Sequence, residues 1–507
     1  MSRALARPRT LALLALAIAT AATIVLVLVV GGSSPSSEDW AAPNADTSNT
    51  RHTGGPIDSA SVGRLGVAWT LPLTALYTVT PIVIDDVVYT QDMRSNVFAL
   101  DVHSGRVRWT RTYDSSSTGP NGLNVAEGRV YGATQTAVFA LDARSGRQLW
   151  LVDLARVDGE SIDMAPGVHD GRVYVSTVPG NHEVVGTLWA FDARTGRRLW
   201  KWEEVPRGLW GRPEVNAGGG AWHTPAFDER GALYIGIANP VPWPGTAEDP
   251  WGRSRPGPTR WNNSLVKLDA RTGRFLWGRQ VLPHDIYDWD LQCPPILAEV
   301  DGRRVVIAGG KMGFVYAFDA DTGTLLWKRS VGIHNGHDDD NLAAMRGDYS
   351  NIRTGEPIYP GDWGGIQTAM ASDGETVYAP VNNLYAIYHN GVDQPEKQDL
   401  MAGTGEIVAI DIASGRVQWD RRLPHSVYGA ATISNDVVFT TTFDGTVWGL
   451  DTSSGRVLWR SRLPEATAAP VAIAGDTLLT AASFPIRSEG QELAIVAYRL
   501  GAGGAGR

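Results

Sequence analysis

Along most of this chain apolar and polar residues alternate, and one recurring turn interrupts the alternation. The unit reads VFALDVHSGRVRW at 97–109, VFALDARSGRQLW at 138–150, LWAFDARTGRRLW at 188–200 and LVKLDARTGRFLW at 265–277. It returns as VYAFDADTGTLLW at 315–327, IVAIDIASGRVQW at 407–419 and VWGLDTSSGRVLW at 447–459. Period-two alternation on both sides of a turn is the pattern of a β-hairpin with half-buried strands. Within the turn, Asp can accept hydrogen bonds from the following amides, and Gly supplies a left-handed backbone angle. The Trp that closes each unit offers a large ring to a neighbouring unit, so these tryptophans are assigned to structure.

Seven units are complete, and an eighth is split between the two ends. ELAIVAYRL at 492–500 supplies its first half, and VGRLGVAW at 62–69 supplies its second, with Trp69 in the closing position. A unit shared by both ends closes a ring and removes exposed sheet edges. The pattern therefore predicts an all-β fold over 39–500. It is an eight-bladed β-propeller of four-stranded antiparallel blades, closed by N- and C-terminal strands. The turn aspartates stand at 101, 142, 192, 269, 319, 411 and 451. The long intervals 192–269 and 319–411 must hold insertions, and insertions gathered on one face of such a ring build a site there.

The first residues read differently. Arg3, Arg7 and Arg9 precede twenty uncharged residues at 11–30. As a helix these rise roughly 30 Å, the thickness of a bilayer's hydrocarbon core. The stretch is longer than the ~7–15 apolar residues of a cleaved signal, although a long cleaved signal is the alternative. The expectation is a cytoplasmic tail at 1–10, a transmembrane signal-anchor at 11–30, a linker at 31–38 and a disordered tail at 501–507. The protein would sit in the cell membrane as a single-pass chain with its main domain outside the cytoplasm.

A net charge of −9, with no basic cluster beyond the N-terminus, argues against nucleic acid as a partner. Cys293 is the single cysteine, so no internal disulfide can form. No CxxCH is present, so no haem is attached by that motif. If the chain moves electrons, a separate acceptor must take them.

The densest polar run is HDIYDWD, His284 to Asp290. In an extended segment Asp288 and Asp290 share one face. Paired carboxylates suit metal binding and proton abstraction; the run equally suits a solvated loop. A second run, HNGHDDDN from His334 to Asn341, reads more readily as a solvated loop than as a metal site.

With these motifs in place, the chain resembles the quinoprotein (PQQ-dependent) alcohol dehydrogenase-like family, whose members hold pyrroloquinoline quinone in the funnel of an eight-bladed propeller. The resemblance covers about 39–500. GGGAWHTPAFD at 218–228 puts Trp222 where the family has the indole under the quinone. IANPVPW at 237–243 puts Asn239 at the family's metal-ligating Asn, with Ala in place of Gly before it. HDIYD puts Asp288 at the catalytic base, with Tyr287 in place of Trp. GGKMGFVYAFD at 309–319 puts Lys311 where a basic residue faces the quinone oxygens. WGGIQTAMASDG at 363–374 offers Gln367 as a polar group toward the cofactor. Asp290 stands where some members bind a lanthanide through an extra carboxylate.

The family's metal-binding Glu falls on Asn181 in an ungapped match, with Glu183 two residues on, and its cofactor-gripping Arg falls near Asn121. What the resemblance implies is oxidation of an alcohol or sugar, with Asp288 as base. Trp222, Lys311 and Gln367 would bind PQQ. Asn239, Asp288, Asp290 and either Glu183 or Asn181 would hold Ca²⁺ or a lanthanide. Non-catalytic propellers share the repeat, so the alternative is an extracytoplasmic scaffold that binds a protein or polymer.

Overall fold

The computed structural model describes residues 39–502, except 118, 120, 156–158, 180–183, 207, 484–489 and 491. The expected tail, membrane segment and linker at 1–38 lie outside the described residues, as do Asn181 and Glu183. No helix among the described residues is long and apolar enough to cross a membrane. At the other end, Gly501 N donates to Arg64 O at 2.9 Å and Ala502 N to Arg499 O at 3.2 Å. Those two residues of the expected disordered tail are thus hydrogen-bonded, and 503–507 lie outside the described residues.

The fold is all-β and propeller-like. Eight antiparallel sheets repeat one strand order, each holding four successive strands. The first sheet runs Ile82–Ile84, Val87–Gln91, Val97–Asp101 and Val107–Arg111. The last is assembled from both ends: Ala472–Ala474, Thr477–Ala482 and Ala494–Leu500, completed by Leu65–Pro72 paired antiparallel to Ala494–Leu500. The second and third strands of each sheet are buried on both faces, as in Val87–Gln91, and read as nearly continuous apolar runs. The fourth strands alternate exposed and covered residues, as in Val107–Arg111.

The repeated hairpin works as expected and does one thing more. In the first copy Ser104 N and Oγ donate to Asp101 Oδ1 at 3.0 and 2.8 Å, and Gly105 N donates to Asp101 O at 2.8 Å. The closing Trp of seven of the sheets then clasps the turn of the next. Trp69 Nε1 donates to Val102 O at 2.8 Å, Trp109 to Ala143 O at 3.0 Å and Trp150 to Ala193 O at 3.0 Å. The series continues through Trp419, which donates to Thr452 O at 2.8 Å. Trp69 belongs to the last sheet and clasps the first, so the two ends of the series meet.

First strands of neighbouring sheets pack against one another, as Ala226–Phe227 does on Ile296–Val300. The segment before the first hairpin passes inside these strands. Trp40 pairs with Val83 of the first sheet. Carbonyls further along accept from first-strand amides of the fourth to seventh sheets: Thr47 from Phe227, Ser48 from Leu297, Thr50 from Ser372 and Arg51 from Ile433, at 2.8–3.0 Å. Nothing in the alternation pattern announced this strap, because its residues pair through the backbone.

Candidate active site

First and second strands of a sheet run antiparallel, so the approach to the first and the exit of the second lie at one end. The candidate residues occupy those positions. Trp222 and Gln367 precede the first strands Ala226–Phe227 and Ala371–Ser372. Asn239 and Lys311 follow the second strands Ala232–Ile237 and Arg303–Gly310. HDIYDWD precedes the first strand Ile296–Val300. Trp222, Lys311 and Gln367 line one cavity of about 460 Å³, with Asn121, Arg51 and Tyr428 also in its wall. That volume lies within the range of small-molecule sites.

Asp288 is gripped from two sides. Asn239 Nδ2 donates to its Oδ1 at 2.7 Å and Lys311 Nζ to its Oδ2 at 2.6 Å. The same ammonium stands 2.7 Å from Asp290 Oδ2, while Asn239 N donates to Asp290 Oδ1 at 2.6 Å. Burial pushes the Asp288 carboxyl well above its ordinary range; Lys311 opposes the shift and Asp290 adds to it. Burial opposes the Lys311 charge, but Asp288 and Asp290 on either side raise its pKa. The result is a lysine shared by two acids, tied through Asn239 and opening on the cavity.

The run that carries these acids is neither extended nor solvated, which corrects both expectations. Asp288 has φ 61°, and Asp285, Tyr287, Trp289 and Asp290 are buried. The cause is Asp285. Its carboxylate accepts from Tyr287 N and Trp289 N at 2.8 Å each and from Asn263 Nδ2 at 2.8 Å. A side chain that caps its own following amides turns the backbone, and Asp288 and Asp290 meet on Lys311 through that turn rather than through strand alternation.

The second polar run is also not a solvated loop. His337, Asp340 and Asn341 are buried, around the short helix Asp340–Met345. Asp340 Oδ2 accepts from Tyr287 OH and lies against His337 Nδ1, both at 2.7 Å, and Asn341 Oδ1 accepts from Ile286 N at 2.8 Å. The run braces HDIYDWD from behind.

Gln367 lines the cavity, but its amide is already engaged with Asp362 O at 3.1 Å, Gly364 O at 2.9 Å and Gln292 Nε2 at 3.2 Å. Other wall groups have no partner among the described residues: Trp222 Nε1, Thr78 Oγ1 and both polar atoms of the Asn121 amide are buried without a hydrogen bond there. Arg51 and Glu204 escaped the sequence reading. Glu204 is fully buried beneath the glycine turn that leads to Trp222, accepting from Ser176 Oγ at 2.7 Å and from Gly220 N. Among the described residues no group of three or more His, Cys, Asp or Glu is placed to hold a metal.

A propeller-like fold with a cavity whose wall meets a buried lysine–carboxylate cluster defines a class, and the comparisons specify it. Residues 40–124 and 161–331, half of the chain, match the family model "Glucose/ethanol/alcohol dehydrogenase, beta-propeller domain". Residues 261–503 also match the model "Outer membrane protein assembly factor BamB". The chain belongs to the first of these families, the PQQ β-propellers.

It is 29% identical over 474 residues to quinohemoprotein alcohol dehydrogenase ADH-IIG of Pseudomonas putida, covering 77% of this chain. The chain spans 64% of that relative's length. The solved structure of ADHIIG from Pseudomonas putida HK5 superposes with a TM-score of 0.78 at 24% identity, covering 92% of this chain and 81% of that one. A europium-containing methanol dehydrogenase superposes with a TM-score of 0.77 at 20% identity, covering 92% and 98%.

Proposed function

We propose that this protein is a PQQ-dependent dehydrogenase of an alcohol or a sugar. Its eight sheets would form eight blades of a closed ring, anchored by residues 11–30 in the cell membrane with the ring outside the cytoplasm. The observation that carries the reading is the shared lysine: Lys311 lines the cavity beside Trp222 and holds Asp288 and Asp290 within 2.7 Å.

The residues present fit the quinone. The unpartnered polar atoms of Trp222, Thr78 and Asn121 leave hydrogen bonds for a ligand to complete, and the Trp222 ring offers a flat face. When bound, the quinone supplies the acceptor of a hydride, which carries both electrons of the oxidation. Asp288 supplies the base. Its burial raises its proton affinity toward the value a general base needs, and Asn239 and Lys311 fix its orientation. Lys311, once its proton is shared less with Asp288, stabilises negative charge at the cavity wall.

Asn239 Oδ1, Asp288 and Asp290 are hard oxygen donors suited to Ca²⁺ or a lanthanide, with Glu183 or Asn181 as a further ligand. Such an ion would take over the charge balance that Lys311 provides to the two carboxylates. Electrons would leave to a separate acceptor.

The test is reconstitution of the chain with PQQ and Ca²⁺ or La³⁺, followed by dye reduction with a panel of alcohols and sugars. Turnover is expected, and Asp288→Asn should lower it at least about a hundredfold, the usual weight of a general base, with an unchanged circular dichroism spectrum. Undiminished turnover in that variant would refute the base assignment. Absence of both quinone binding and turnover in the folded wild type would favour a scaffold.

A further inference from the structure

Among the described residues that line the cavity none is an aspartate or glutamate, while two are cations, Arg51 and Lys311. Lys311 is balanced by Asp288 and Asp290. Among the described residues no acid balances Arg51. It is 1% exposed, and its guanidinium donates only to neutral acceptors. Nε reaches Ala431 O at 2.7 Å. Nη1 reaches Asn44 Oδ1 at 3.0 Å, Thr80 Oγ1 at 3.3 Å and Pro43 O at 3.3 Å. Nη2 reaches Thr432 Oγ1 and Val471 O at 2.8 Å each. Burial alone lowers its pKa, to about 9, which leaves it charged at neutral pH. A buried charge without a counter-ion is costly and is relieved by any anion that arrives nearby.

The wall beside it holds the unpartnered groups. Thr80, which accepts from Arg51, lies two residues from Thr78, whose Oγ1 has no partner. Between them Val79 packs against Gly122, since a Cβ built there would lie 3.7 Å from the Val79 Cβ. Gly122 follows Asn121, which is 5% exposed and has neither amide atom bonded to a described residue. Asn121 N donates to Asp163 O at 3.0 Å, so the backbone at this position is fixed while the side chain is free to serve a ligand.

We infer that this wall recognises a carboxylate of the cofactor. Asn121 makes the direct hydrogen bond, and Arg51, one layer deeper on the strap, supplies the charge that the position of Asn121 itself lacks. The inference rests on the proposed quinone cofactor and adds which end of it faces which wall: a carboxylate toward Arg51 and Asn121, the reacting carbonyls toward Lys311 and Asp288. Arg51 is a positioning residue, because its own donors are all engaged by protein and its effect on the ligand is exerted through its field.

The experiment compares binding of PQQ and of its trimethyl ester to the full chain, read by quenching of tryptophan fluorescence at fixed Ca²⁺. The wild type should hold the acid at least about tenfold more tightly than the ester. Asn44→Asp places a carboxylate against Arg51 Nη1 and neutralises it in place, at the loss of the 3.1 Å bond from Asn44 Nδ2 to Asn49 Oδ1. It should bring the acid-to-ester ratio close to one while leaving the ester's affinity unchanged.

Asn121→Gly keeps the left-handed backbone of that position (φ 43°), removes the amide, and should weaken the acid about tenfold. It decides the matter if Asn44→Asp does not fold. An acid-to-ester ratio that stays at its wild-type value in the folded variants overturns the inference and leaves the cofactor reading standing. A folded wild type that binds neither compound overturns the cofactor reading and this inference with it.

Discussion

Glu204 is a buried carboxylate with no cation beside it among the described residues. Burial raises its pKa from 4.5 to about 7, against the opposing hydrogen bonds from Ser176 and Gly220. The consequence for stability has a definite sign. Below pH 4.5 the group is protonated in both folded and unfolded chains, and its full contribution is present. Between pH 4.5 and about 7 the folded chain keeps a proton that the unfolded chain releases, so stability falls as pH rises. Above that the loss is complete, on the order of 3 kcal/mol for a shift of this size. Glu204→Gln should flatten this part of the urea-midpoint profile between pH 4.5 and 7.5. A profile parallel to the wild type would show that Glu204 titrates near its ordinary value.

Asp288, Asn239 and Lys311 were singled out by the family resemblance, and the structure brings the three side chains together. Arg51, Glu204 and Asp340 were not singled out. What distinguishes them is packing against other segments, Arg51 on Ala431 and Val471, Glu204 on Ser176 and Gly220, Asp340 on Tyr287, and composition does not encode that. The amide of Asn121 illustrates the same limit: as a letter it marks a missing arginine, and only the cavity reveals that its hydrogen bonds are unspent.

In the hairpins, the alternation and the Asp–Ser/Thr–Gly turn were fully legible, and so was the pairing of terminal strands through Trp69. What the turn glycine does beyond its backbone angle was not. A Cβ on Gly146 would lie 2.5 Å from Trp109 Cε3, and its φ is 69°. The repeat thus needs Gly for two reasons, a left-handed angle and the seat of the preceding sheet's indole. Gly146→Ala should therefore cost on the order of 3 kcal/mol, combining left-handed strain with overpacking. Trp109→Phe, which keeps a ring but loses the bond to Ala143 O, should cost only about 1 kcal/mol. Urea unfolding of the two variants checks the order; a larger loss for Trp109→Phe would make the indole bond, not the close approach, the main clasp. HDIYDWD, read as an extended segment or a solvated loop, is neither for the opposite reason: Asp285 captures the amides that a strand would have offered to a neighbour or a loop to water.

The ring as a whole is held by three kinds of closure that the sequence reveals unequally. The shared last sheet and the Trp clasps repeat, and repetition is visible. The strap occurs once, pairs by backbone, and crosses from the first sheet to the fourth through seventh, so no periodicity marks it. Its placement gives it two duties, one mechanical and one electrostatic. Its carbonyls cap Phe227, Leu297, Ser372 and Ile433, and its Arg51 charges the cavity above. These duties separate experimentally. In the wild type those four first-strand amides should exchange with deuterium slowly, since each is hydrogen-bonded to the strap.

A chain lacking residues 39–53 should lose protection at these four amides, while the hairpin amides of Val88, Leu100, Val130 and Leu141, paired within their own sheets, stay protected. Its cavity should then bind PQQ and the trimethyl ester equally. Loss of protection throughout all eight sheets would instead mean that the strap is part of the fold's cooperative core rather than a seal laid across it. Asn44→Asp, which alters the charge but leaves the carbonyl caps in place, should change the ligand ratio without opening any of the four amides.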